Sequence, residues 1–292
     1  MIRIAAALFL ALAATPAFAR DRCPPAGYDR AALQALKAAE FQITDDSARN
    51  AFARALAGCL ASPDPFLRDQ IAFEGLSRML RGRQLSVATQ TDLVNDMLPR
   101  LESSDRRGFE RPFAALVLSE LVRAERLNPH FTDSMRDDVF ERSLAYFRGV
   151  RDYRGFDERD GWRHGVAHGA DLLLQLSVSE STSRGQLLRI REAIGEQVAP
   201  SGHFYIYGES ERLARPILLM AQRGLIAEEE WTPWFARLVP GGDAVFSTQE
   251  GLARRHNVNA FLQAIYLNAR LSRSADDDVL LPGAEAALRA MP

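Results

Sequence analysis

Apolar residues recur at three- and four-residue intervals along almost all of this 292-residue chain. No stretch alternates apolar and polar residues with the β-branched enrichment that a sheet requires. The fold class read from this is all-α. The spacing predicts helices over Asp29–Ala39, Asp46–Leu60, Pro65–Leu80, Val87–Leu101, Phe109–Leu127, Asp133–Phe147, Arg163–Leu176, Arg184–Val198, Glu211–Arg223, Glu228–Leu238 and Gln249–Leu271, with a short terminal piece. Breaks fall at Ser62-Pro63-Asp64-Pro65, Asn128-Pro129, Pro200-Ser201-Gly202, Gly224 and Pro240-Gly241-Gly242. Ser86 and Thr132 are expected N-caps, and Thr232-Pro233 is expected to reset a helix start. Short joints between helices of this length suggest irregular antiparallel hairpins stacked in a HEAT- or armadillo-like α-solenoid, with a closed α/α toroid as the alternative. No linker divides the array, so residues 20–292 are read as one domain.

The first 19 residues read differently. Met1–Arg3 is positive, Ile4–Ala14 is apolar and uncharged, and Ala17-Phe18-Ala19 is a small-x-small cleavage pattern, which together predict a secretory signal peptide. The apolar run is shorter than the ~20 residues that span a bilayer, and no later segment reaches that length without charges. The expected product is an exported protein, periplasmic or secreted, with no membrane span. Its two cysteines, Cys23 and Cys59, then meet an oxidising compartment and are expected to pair, the alternative being two free thiols. The net charge of -2 comes from 36 basic and 38 acidic residues, dispersed along the chain. Without a basic tail or stripe, nucleic acid is not an expected partner.

Unusual residues concentrate between Asp152 and Asp171. Two of the five histidines lie there, four positions apart. On a helix His164, His168, Asp171 and Gln175 fall within about 60° of one another, amid Val166, Ala167, Ala170 and a run of leucines. So narrow a polar stripe is expected to face a groove or pocket. Gly165 and Gly169 each cost about 1 kcal/mol in a helix, which calls for close approach by another part of the protein or by a ligand. The two imidazoles and the carboxylate suit a divalent metal, or a His168 general base oriented by Asp171. Gly165 stands where the His-Glu-x-x-His metalloprotease motif has Glu, so that motif is absent. Further metal ligands would come from His203, His256, Asp157 or Glu209. The bland reading, hydrogen bonding inside a packed helix array, competes with each of these. Arg68-Asp69 fits an internal ion pair or a loop cap. The aromatic stretch His203-Phe204-Tyr205-Ile206-Tyr207, followed by Glu209, Glu211 and Arg212, could line a groove, and Asn257 or Asn259 could face the histidines.

Three segments carry a family resemblance: Ser62-Pro63-Asp64-Pro65-Phe66-Leu67-Arg68-Asp69; Arg154-Gly155 with Gly161-Trp162-x-His164-x-x-x-His168-x-x-Asp171; and Asn259-x-Phe261-Leu262-x-x-Ile265-Tyr266. In these the chain resembles the bacterial family designated domain of unknown function 2785, over about Ala48 to Leu271. Arg163 departs from the small residue that family members carry at that position. The resemblance implies a helical, HEAT-like fold and transfers no catalytic residue. The expected function is ligand or partner binding in a concave groove involving Arg154, Trp162, His164, His168, Asp171, Glu211 and Asn259, the partner being a protein, a peptide or an envelope ligand. The alternative is an envelope carbohydrate or peptide hydrolase, with His168 and Asp171 as catalytic candidates, a second carboxylate from Glu209, Glu211 or Asp157, and a metal on His164 and His168.

Overall fold

Short polar side chains start the helices. Asp29, Asp45, Ser86, Thr132, Ser183 and Thr248 each accept a first-turn backbone N–H, satisfying a donor that the helix itself leaves unpaired. In this computed structural model, which describes residues 23–292, they open α1 (Arg30–Ala38), α2 (Asp46–Leu56), α4 (Val87–Arg100), α6 (Asp133–Arg148), α8 (Arg184–Gln197) and α11 (Gln249–Leu271). The others are α3 (Glu74–Arg81), α5 (Glu110–Leu127), α7 (Gly165–Ser177), α9 (Glu209–Ala221), α10 (Glu228–Leu238) and α12 (Leu281–Arg289). The all-α class and most boundaries agree with the periodicity. The signal peptide lies outside the described residues.

Three local features depart from the expected helices. Phe66–Phe73 winds as a π-helix that runs directly into α3, a wider winding associated with functional sites. Pro233 sits inside α10 and does not start it; Glu230 reaches back to the backbone N–H of Ala227 and fixes the start there instead. The third is a small antiparallel hairpin, β1 (Phe156–Asp157) and β2 (Gly161–Trp162), whose strands are two residues long and too short to show alternation.

One layer is formed by α3, α5, α7, α9 and α11, each packed on the next; α4 lies on α5, α6 and α8 on α7, and α12 on α10 and α11. Such layering is common to open solenoids and closed toroids. α7 is buried along nearly its whole length. Its glycines admit another helix: a Cβ on Gly169 would lie 2.7 Å from the Phe147 ring, and one on Gly165 3.5 Å from the Tyr146 hydroxyl. At the amino end, Cys23 and Cys59 form a disulfide with Cα atoms 5.0 Å apart, joining the start of the described chain to the end of α2.

Candidate functional site

The hairpin continues beyond its strands in the same register. The carbonyl of Gly155 accepts from Arg163 N–H at 2.9 Å and that of Arg154 from His164 N–H at 3.1 Å. Asp157 closes the turn by accepting from the backbone N–H groups of Arg159 and Asp160. Gly161 has φ +74°, and a Cβ there would lie 2.9 Å from Arg68 Nη2. Arg68 is fully buried yet well supplied with acceptors. Nη1 donates to Ser62 O at 2.9 Å and Nη2 to Asp160 O at 2.7 Å, Nε lies 2.7 Å from Asp69 Oδ1, and the guanidinium covers the Phe109 ring at 4.0 Å. Burial pushes the Asp69 carboxyl up, opposed by Arg68 and by the backbone N–H of Trp162. Arg163 adds a bond to Arg107 O at 2.8 Å and an ion pair with Asp160. The hairpin is thus pinned by two arginines and a carboxylate from outside its own strands.

His164 adopts φ 57°, ψ 41° and acts as the turn into α7, which starts at Gly165. The expected four-residue helical stripe therefore begins at His168. A left-handed conformation is unusual for a residue with a side chain, and histidine is among the few enriched there. It stacks the imidazole on Trp162, centroids 4.7 Å apart at 20°, and leaves Nε2 buried, without a hydrogen bond and 3.8 Å from Glu209 Oε1. Burial, aided by the Arg212 charge, lowers the His164 pKa to about 4.

His168 lies deeper. Its ring meets Phe113 edge-on at 5.1 Å, Nδ1 has no hydrogen-bond partner, and burial followed by the neighbouring His164 holds its pKa well below the ordinary value. Asp171 does not orient it. The carboxylate of Asp171 is paired side-on with Arg212, whose Nε donates to Oδ1 at 2.9 Å and whose Nη2 meets Oδ2. Burial raises the Asp171 pKa, against the pull of Arg212. The His168–Asp171 dyad that hydrolysis would need is not assembled.

The other candidates are dispersed. Arg154 is bound to Asp152 and to Arg107 O. Glu211 is exposed and Asn259 half-buried. Asn257, one position pair earlier on α11, instead holds the aromatic stretch, accepting from Tyr205 N–H at 2.9 Å and donating to His203 O at 2.8 Å. His203 stacks on Tyr153, and His256 contacts Tyr205 O at 3.2 Å. Among the described residues, no three His, Cys, Asp or Glu side chains converge to hold a metal ion.

What does converge is aromatic. Trp162 is 37% exposed, with Phe156, itself 44% exposed, 5.1 Å from it and Tyr207 at 6.1 Å. Ile206 stands 68% exposed beside Tyr207. Gly155 leaves the space that the Tyr207 ring fills, since a Cβ there would lie 2.0 Å from it. Beneath, Glu209 is buried at the start of α9 and accepts from Tyr207 N–H at 2.9 Å. Phe156 and the role of Arg212 are not among the sequence expectations. The Asp157/Asp160 turn between Gly155-Phe156 and Gly161-Trp162 was the available signal for the first.

The chain belongs to the protein family described as "Protein of unknown function (DUF2785)", which matches residues 97–267. The match includes the hairpin, α7 and α9. It starts after Ser62–Asp69, although Arg68 and Asp69 support the hairpin inside it. No curated protein and no solved structure matches the chain.

Proposed function

We propose that this protein is a non-enzymatic binding protein of the cell envelope or exterior, and that its ligand seats on Trp162, Phe156 and Tyr207. The observation that carries this reading is a half-exposed aromatic cluster on a hairpin anchored by buried polar groups, so that the rings are presented without first having to be ordered. The exposed part of these rings suits an apolar ligand surface. Polar groups lie behind the rings, with His164 stacked under Trp162 and Glu209 accepting from the Tyr207 N–H. A sugar ring of an envelope glycan combines an apolar face with polar edges and is the ligand class we assign. The disulfide supports an exported location.

Tryptophan fluorescence tests the site directly. Trp231 and Trp234 are buried, so among the three tryptophans Trp162 is the one open to a ligand. Titration with envelope-derived oligosaccharides is expected to change the emission saturably, and Trp162→Phe is expected to abolish the change. Failure of all such oligosaccharides, or a response that survives in Trp162→Phe, would refute the assignment.

A further inference from the structure

A separate groove lies at the carboxyl end of α9, and none of the aromatic cluster lines it. Positions 212, 215 and 219 share one face of α9 at helical spacing, and Gln222 caps its end. Arg212 is committed to Asp171, whereas Arg215 is exposed and makes no ion pair among the described residues. Beyond it, Leu219, Gln222, Leu267, Leu271 and Asp277 line a groove of about 450 Å³ between α9, α11 and the turn before α12, within the size range of small-molecule and short-peptide sites. Leu267 is 54% exposed and Leu271 79%, an unusual pair of open leucines on adjacent helical turns. The floor is polar: Asp277 is 2% exposed, and Oδ2 accepts from Gln222 Nε2 at 3.2 Å while Oδ1 is buried without a partner. A buried carboxylate oxygen lacking a donor is costly, and a ligand N–H placed there would satisfy it.

We infer that this groove binds a short peptide bearing a basic side chain beside an apolar one, its cationic nitrogen donating to Asp277 and its apolar side chain covering Leu219, Leu267 and Leu271. The terminal carboxylate of the peptide meets Arg215. Opposite charges flanking an apolar strip define a zwitterionic partner. An anionic lipid would satisfy Arg215 but set its own negative charge toward Asp277, and an uncharged chain would leave both groups unmatched.

The probe is the tripeptide Lys-Leu-Leu with a free carboxylate, titrated calorimetrically into the full-length mature protein. Saturable binding is expected. Leu267→Glu, at an exposed position that the fold does not need, is expected to weaken it at least about tenfold, and Asp277→Asn to do the same where circular dichroism shows that variant folded. Amidating the peptide terminus should weaken binding to the unaltered protein as much as Arg215→Ala does, and the amidated peptide should not distinguish Arg215→Ala from the unaltered protein. Trp162→Phe should leave the titration unchanged, which separates this groove from the aromatic site. Absence of saturable binding, undiminished binding by Leu267→Glu, or loss of binding in Trp162→Phe would overturn the inference. So would a concentration-dependent dimer in sedimentation that Leu267→Glu dissociates, since the occupant would then be a second copy.

Discussion

Two aromatic clusters in this molecule use the same ring chemistry on opposite supports. Trp234 meets Trp231 at 6.0 Å, Phe235 at 5.0 Å and Phe261 at 6.2 Å, all edge-on, and all four side chains are buried. Mostly apolar neighbours hold that cluster, with α12 closing over α10 and the buried Arg191 guanidinium over the Trp231 and Trp234 rings at 5.4 and 5.9 Å. Trp162 also has three ring partners, Phe156, His164 and Tyr207, but keeps more than a third of its surface open. Polar groups hold this one: Arg68, itself paired with Asp69, on Asp160 O, and Arg163 on Arg107 O. Burial energy, with one stacked cation, accounts for the first arrangement. In the second, polar anchors keep apolar surface in water, which is the arrangement a binding surface needs and a core does not.

Four measurements would break or sharpen this contrast. Trp234→Ala empties the centre of the buried cluster and should cost about 4 kcal/mol in urea unfolding. A cost near zero would mean that its neighbours do not depend on it. Arg68→Ala leaves the carbonyls of Ser62 and Asp160 without donors and Asp69 without its cation, and should cost about 3 kcal/mol. Hydrogen exchange at Gly161 and Trp162 should accelerate in that variant while α10 stays protected; unchanged exchange would detach Arg68 from the hairpin.

The third concerns acid. His164 is held neutral in the folded protein, with its pKa near 4 against 6.5 in the unfolded chain, so the unfolded state binds the extra proton between those values. Its contribution is complete above about pH 6.5 and is lost as the pH falls through about 4, amounting to roughly 3 kcal/mol. His164→Asn tolerates the left-handed backbone and should flatten this part of the stability–pH curve, leaving the slope that His168 supplies. An identical curve for the variant would show that His164 does not titrate in this window. The smallest effect is expected from Trp162→Ala, which should lower stability by less than about 1 kcal/mol. A loss as large as that of Trp234→Ala would make the hairpin cluster a second core and remove the basis for binding there.

Much of this was readable in the chain. Spacing located the helices because apolar faces repeat every turn, and Ser86 and Thr132 cap α4 and α6 as side-chain chemistry requires. The concentration of unusual residues between Asp152 and Asp171 is visible in the sequence, but its internal pairing is not. Helical projection assumes that His164 is helical, and one left-handed residue takes it out of the stripe. Arg212 lies 41 positions from Asp171, so nothing local could announce that it, rather than His168, claims the carboxylate. Asn257 and Asn259 could not be told apart either, because the carbonyl and amide that select Asn257 belong to a loop more than 50 residues away. Gly165 and Gly169 revealed a close approach in sequence; only packing shows that the visitors are Tyr146 and Phe147.

The reach of Arg68 also bears on how the protein comes to fold. Its bond to Asp160 O closes a loop of 92 positions, far longer than the hairpin's own contacts. Contacts of such separation form late, because loop-closure entropy opposes them until both ends are already organised. During synthesis the π-wound segment leaves the ribosome long before its acceptor does, and its guanidinium must wait in water for the hairpin to arrive. A fragment limited to residues 97–267 would lack that guanidinium altogether, leaving Asp160 O unpaired and the Phe109 ring uncovered by it. The portion matched by the family would then be a folding unit in need of its amino-terminal neighbour, and supplying residues 23–96 as a separate chain should restore the order of the hairpin.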